Sequence, residues 1–105
     1  MSSHASSPTT VRKPKTRKKV KKPKMYRVLL HNDNYTSMEF VVEILCSIFR
    51  KKEPDALRIM LSVHIVGIGM CGVYPPQIAE TKVKAVHARA RQQGFPLKAS
   101  MEPEG

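Results

Sequence analysis

The sequence lacks any apolar stretch long enough to cross a membrane, and no apolar segment of the secretory type follows its basic N-terminus. We therefore expect a cytosolic protein. Cysteine is also scarce, because Cys46 and Cys71 are the only two and form neither a CxxC pair nor a metal-ligand spacing. Both have apolar neighbours, which favours buried, reduced thiols and leaves a disulfide or a zinc site as the alternative.

Acidic residues are absent from the first 24 positions, which hold nine of the 19 lysines and arginines. Residues 25–105 carry ten basic and eight acidic side chains, so the net charge of +11 falls to +2 in this part. Residues 1–24 are predicted to be a disordered extension, because so basic and polar a segment cannot offset its ordering entropy. Charge attraction to RNA or DNA is the alternative function, although no aromatic is interleaved with the lysines to stack on bases.

Catalytic motifs are also missing. None of the serines, cysteines or four histidines lies in a nucleophile-elbow motif, and the eight carboxylates are scattered. The glycines at 67, 69 and 72 have the spacing of a dinucleotide-binding loop, but they follow a predicted helix and lead through a strand. We therefore predict neither an enzyme nor a cofactor, and a small thiol or metal enzyme remains an alternative of another class.

Residues 25–105 are enough for one small core. Short apolar runs predict strands at 25–30, 68–74 and 95–101. A first helix is predicted to begin at the capping box Thr36-x-x-Glu39, and a second runs from Pro54 to Gly67 with Leu57, Met60, Leu61 and His64 on one face. A third runs from Pro75 to about residue 92. The order β-α-α-β-α-β predicts an α+β domain with three helices packed on a short three-stranded sheet, whose strand order the pattern leaves open.

A polar turn at residues 31–37 leads into the apolar first helix, and the second helix ends close to His64. Asn and Asp favour turns by bonding their own backbone, and apolar helix residues usually belong to the core, so neither feature is specific alone. Together they predict an apolar pocket with a polar lip, which suits a ligand with one charged end and one apolar end. The pattern indicates recognition rather than catalysis.

Several blocks of sequence resemble the ClpS adaptor family and occur in that family's order. They are residues 26–41 with Tyr26-Arg27-Val28-Leu29-Leu30, Asn32-Asp33 and Met38-Glu39-Phe40-Val41; Met60-Leu61-x-Val63-His64; Cys71-Gly72-Val73-Tyr74; and Ala79-Glu80-Thr81-Lys82-Val83. The resemblance covers residues 25–101. It implies an adaptor that binds proteins with destabilising bulky hydrophobic N-terminal residues, called N-degrons, and delivers them to the AAA+ unfoldase ClpA of the ClpAP protease.

The resemblance also implies site residues. The family holds the substrate's α-amino group with an Asn, an acidic residue two positions later and a His, which correspond to Asn32, Asn34 and His64. Asn34 is an amide where the family has an acid, so the contact would depend more on neighbouring Asp33, on Asn32 and on neutral His64. The pocket for the first substrate side chain corresponds to eight residues: Leu30, His31, Thr36, Met38, Val41, Met60, Val63 and Leu97.

The family docks on the unfoldase's N-terminal domain through its third helix, where the corresponding residues are Glu80, Thr81 and Lys82. Gln77 stands at a commonly acidic position. A charge run on a helix is usually only solvated, so this role follows from the resemblance alone.

Overall fold

The computed structural model describes residues 24–105, so the predicted disordered extension lies outside the described residues except for Lys24. Three strands and three helices confirm the predicted α+β class and its element order. In chain order they are β1 (Tyr26–His31), α1 (Met38–Ser47), α2 (Glu53–Val66), β2 (Ile68–Tyr74), α3 (Pro76–Gln93) and β3 (Lys98–Pro103). None of the described helices is long and apolar enough to cross a membrane.

The sheet is antiparallel with the order β2-β1-β3, which the sequence pattern had left open. His31, the last residue of β1, lies opposite Ile68 and Lys98, the first residues of the two outer strands. The pairing of β1 with β2 shifts between Val28 and Leu29, which leaves one extra residue on β2, as in a β-bulge. The end of β1 is therefore flanked by the starts of both neighbouring strands.

The N-cap of the first helix lies one residue later than predicted. The Ser37 hydroxyl accepts a hydrogen bond from the Phe40 N–H at 3.1 Å, which makes Ser37 the N-cap. The Thr36 hydroxyl instead donates to the Asp33 carboxylate at 2.7 Å. The predicted capping box at Thr36 is therefore wrong, because the turn before the helix already uses that side chain.

The predicted apolar face of α2 is partly wrong. Its buried residues are Ala56, Ile59, Met60 and Val63, whereas Leu57 and Leu61 are exposed. The reason is the contact with β2 at Gly69, where an added Cβ would lie only 2.6 Å from Val63 Cγ2 and 3.0 Å from the Ile59 carbonyl oxygen. This close approach turns the Ile59 and Val63 side of the helix toward the sheet.

The last strand starts three residues later than predicted, at Lys98. Phe95 packs against Phe40 with ring centroids 4.9 Å apart, and Leu97 is buried. These residues enter the core from a loop, so their apolar character does not reflect strand pairing. Glu102 extends the strand beyond its predicted end and pairs with Arg27 on β1 at 3.0 Å.

The core is a single apolar cluster to which every helix and strand contributes. Cys71 is fully buried in this cluster, whereas Cys46 is only half-buried, and both thiols are free. Burial raises the pKa of the Cys71 thiol to about 12, so the group stays protonated and unreactive at neutral pH. Cys71 thus acts as a small core hydrophobe, as the sequence predicted.

Candidate functional site

A cleft opens where the end of β1, the start of α1, the last turns of α2 and the loop before β3 meet. Ten of the twelve residues predicted for the α-amino site and the pocket line this cleft. They are His31, Asn32, Asp33, Thr36, Met38, Val41, Met60, Val63, His64 and Leu97. The structure thus gathers residues that are up to 66 positions apart in the sequence.

The other two predicted residues lie elsewhere. Leu30 is fully buried in the core and has no surface in the cleft. Asn34 is exposed and lies outside the set of lining residues. Since β1 alternates the directions of its side chains, Leu30 belongs to the opposite side of the strand from His31.

One backbone hydrogen bond brings the polar turn to the end of α2. The Asn32 N–H donates to the Gly67 carbonyl at 3.0 Å. Gly67 caps α2 with a φ of 103°, a left-handed conformation that favours glycine. His64 lies in the last turn of this helix, so its exposed imidazole reaches the same lip as Asn32.

Asp33 organises the turn through three hydrogen bonds. Its carboxylate accepts from the Tyr35 N–H at 2.8 Å, the Thr36 N–H at 2.7 Å and the Thr36 hydroxyl at 2.7 Å. Partial burial works against ionisation, but the hydrogen bonds from Thr36 and Tyr35 outweigh it and lower the pKa of the Asp33 carboxyl. The lip of the cleft therefore holds a fixed negative charge, but most of that carboxylate's accepting capacity serves the turn.

The walls below this lip are apolar. Val41, Met60, Val63 and Leu97 are all buried, whereas the Met38 side chain is 43% exposed at the mouth. The cavity volume is only about 10 Å³, which is about the space of one water molecule. Among these wall residues Met38 is the least buried and has the most flexible kind of side chain, so its movement would widen the space for an apolar side chain.

Supporting residues that the sequence analysis missed hold the Leu97 wall in place. The Ala99 N–H donates to His87 Nε2 on α3 at 2.9 Å, and Phe95 packs on Phe40. His31 Nε2 also contacts the Ser100 hydroxyl at 2.7 Å. These partners are 12 to 69 positions apart, so no local sequence pattern could have indicated them.

The predicted docking residues lie on α3 and line no part of the cleft. Gln77, Glu80 and Thr81 are exposed, and Glu80 pairs with Lys84 at 3.5 Å. The Lys82 ammonium turns inward, because it donates to the Ile48 carbonyl at 2.8 Å and lies over the ring of Tyr74. That contact satisfies a carbonyl just after the end of α1.

The fold defines a small domain of the α+β class with an apolar cleft below a polar lip. Residues 21–100 match the family described as "ATP-dependent Clp protease adaptor protein ClpS". The chain belongs to the ClpS family of Clp protease adaptors.

Two curated relatives support this assignment. The ClpS adapter protein of Oleidesulfovibrio alaskensis is 64% identical over 83 residues, which cover 79% of this chain and 80% of that protein. The ClpS adapter protein of Myxococcus xanthus is 52% identical over 101 residues, which cover 96% of this chain and 92% of that protein. Similarity to the Myxococcus protein thus extends over nearly the whole length of both chains.

A solved structure of Agrobacterium tumefaciens ClpS2 bound to L-phenylalaninamide has the same fold. The two structures superpose with a TM-score of 0.76 and 41% sequence identity, over 79% of this chain and all of that one. At this identity the similarity concerns the sequence as well as the fold.

Proposed function

We propose that this chain binds proteins through a free, bulky hydrophobic N-terminal residue and presents them to an AAA+ unfoldase, ClpA. The observation that carries the proposal is the cleft, because an apolar floor lies directly below a lip of acceptor groups. Among residues 24–105, the side chains that line the cleft include a carboxylate, an amide and two imidazoles but no lysine or arginine. Such a site suits a cationic amine attached to an apolar side chain.

The polar lip supplies partners for the substrate's ammonium group. Moving an ammonium out of water costs several kcal/mol unless hydrogen bonds and opposite charge compensate. The Asn32 side-chain carbonyl and the neutral imidazole of His64 can accept from the ammonium, and the Asp33 carboxylate adds an attractive charge. Asn34 lies outside the cleft, so its proposed contribution is indirect.

The apolar floor supplies the preference for a large first side chain. Burying a leucine or phenylalanine side chain between Val41, Val63 and Leu97 contributes about 1.5 to 3 kcal/mol. Movement of the exposed Met38 side chain would widen the space for it. The bound ligand of the Agrobacterium structure, L-phenylalaninamide, combines a free α-amine with an aromatic side chain, which is the chemistry that this cleft would accept.

Fluorescence titration with a labelled peptide that begins with phenylalanine tests the substrate part of the proposal. We expect the free peptide to bind and its N-acetylated form to lose at least about 100-fold in affinity, because two charged hydrogen bonds of about 1.5 to 3 kcal/mol each disappear. A matched peptide beginning with glycine should also bind weakly. Equal affinity for the free and acetylated peptides would exclude amine recognition.

A second measurement tests delivery. If the exposed face of α3 contacts ClpA, Glu80→Lys should weaken binding to the ClpA N-terminal domain in calorimetry without changing peptide affinity. The control is Glu104→Lys, an equal charge change at an exposed position directly after the end of β3. Unchanged ClpA affinity for Glu80→Lys would move the contact surface away from this helix.

A further inference from the structure

A second cavity lies on the other flank of α2 and shares no residue with the cleft. We call it the edge cavity. Its lining residues are Lys51, Arg58, Ile59, Ser62, Met70, Cys71 and Gly72. Its volume is about 300 Å³, which reaches the lower end of the range of ligand pockets.

One wall of the edge cavity is an outer strand of the sheet. Within residues 24–105, β2 pairs only with β1, so its other side has no strand partner. Alternate residues of such a strand direct their N–H and C=O groups away from the sheet. The Ser62 hydroxyl donates to the Ile68 carbonyl at 2.8 Å, so this carbonyl at the start of β2 already has a partner. The part of β2 that lines the cavity, Met70–Gly72, lies beyond this contact.

The other wall is cationic. Lys51 makes no ion pair within residues 24–105. Arg58 contacts Asp55 at 3.4 Å, but both side chains are mostly exposed, and such a surface pair is weak. No carboxylate from the described part of the chain lines the cavity. Two cations therefore face a space whose floor includes Ile59, Cys71 and Met70, of which Met70 is 48% exposed.

We propose that the edge cavity binds an extended acidic peptide segment, which adds to β2 as a fourth strand. Backbone pairing with the free side of β2 supplies hydrogen bonds that do not depend on sequence, as in other cases of strand addition. The carboxylates of the segment face Lys51 and Arg58, and its apolar side chains cover Met70. The sign of the charge selects the segment, because a basic peptide would meet two like charges.

The competing explanation is protection of the edge. Charged side chains beside an outer strand also prevent the strands of two copies from pairing. In that case Lys51 and Arg58 would bind no peptide at all. The two explanations thus predict opposite results in a binding experiment.

The test is an NMR titration of the full chain with two N-acetylated peptides that alternate valine with either glutamate or lysine. Acetylation removes the α-amine that the cleft is proposed to bind, so binding here does not depend on the proposed adaptor function. We expect the acidic peptide alone to shift the amide signals of Met70–Gly72. The Lys51→Ala/Arg58→Ala variant should lose at least about tenfold in affinity.

The matched control is Lys98→Ala/Arg91→Ala, which removes the same charge at exposed positions outside the cavity and should bind as the wild type does. The charge-reversed variant Lys51→Glu/Arg58→Glu should prefer the lysine peptide, provided that its thermal unfolding matches the wild type. Absence of shifts with either peptide would overturn the proposal in favour of edge protection. Identical shifts with inorganic phosphate alone would also overturn it, because the site would then bind any small anion.

Discussion

The two flanks of α2 present similar apolar walls with opposite charges at their rims. Met60, Val63 and His64 face the cleft, where the fixed charge is the Asp33 carboxylate. Arg58, Ile59 and Ser62 face the edge cavity, where the fixed charges are Lys51 and Arg58. Apolar walls favour any apolar group, so the charge at the rim determines whether a cationic or an anionic ligand fits.

Gly69→Ala should have the largest effect, because it disturbs both flanks at once. Its Cβ would meet Val63, a wall of the cleft, and the backbone of Ile59, a wall of the edge cavity. Overpacking of this kind costs about 1 to 3 kcal/mol of unfolding free energy. Chemical denaturation measures the loss.

The control for this change is Gly72→Ala on the same strand. Its Cβ would meet the outer end of the Tyr74 side chain and, among its three nearest atoms, no backbone atom, so we expect a smaller loss. Equal losses in the two variants would mean that the contact of α2 with β2 is not tightly packed at Gly69.

His64→Ala should affect ligand binding at only one flank of α2, because it removes a hydrogen-bond acceptor from the cleft and none from the edge cavity. The loss of one charged hydrogen bond, about 1.5 to 3 kcal/mol, corresponds to a decrease of about 10 to 100-fold in affinity for a free N-terminal peptide. His64 is exposed, so the melting temperature should change little. Calorimetry with a phenylalanine-initiated peptide checks the affinity, and wild-type affinity would remove His64 from the site.

Met38→Ala should change which first residues the cleft accepts more than it changes stability. Met38 is 43% exposed at the mouth, and its removal widens a cavity of only about 10 Å³. Peptides that begin with the β-branched residues valine and isoleucine should gain several-fold relative to leucine. A large drop in melting temperature with unchanged selectivity would instead show that Met38 is an ordinary core residue.

Asn34→Asp should have a smaller effect, because Asn34 is exposed and lies outside the cleft. A second carboxylate beside Asp33 should strengthen binding of a cationic N-terminus by a few-fold at most, since exposed charges interact weakly and are screened by salt. Titration at low and high salt checks this. A gain that persists at high salt would indicate direct contact with the ammonium.

The smallest expected effect is on the pH dependence of the unfolding free energy. The carboxyl of Asp33 has a lowered pKa in the folded state, so its contribution to stability is present above the ordinary value of 3.8 and is lost as pH falls below 3.8 through the lowered pKa of the folded state. The difference in unfolding free energy between about pH 5 and about pH 3 should therefore be smaller in Asp33→Asn than in the wild type. An identical pH dependence would show that the turn does not depend on the charge of Asp33.

The local features could be predicted from the order of the residues alone. The helix after the polar turn, the end of α2 at Gly67 and the α+β class follow from apolar spacing and backbone preferences, which act within a few residues. The family pattern also named ten residues that line the cleft. It placed Leu30 and Asn34 in the same site, because position in a motif does not show which side of a strand or turn a residue occupies.

The contacts and cavities between helices and strands could not be predicted in this way. The strand order β2-β1-β3 sets β2 at an edge and creates the cavity beside Lys51 and Arg58, although these residues are 7 positions apart from each other and 12 or more from Met70. The hydrogen bond from Ala99 to His87 and the inward turn of Lys82 depend on packing in the same way. Such contacts join distant parts of the chain, and they form only when the whole core buries its apolar surface at once.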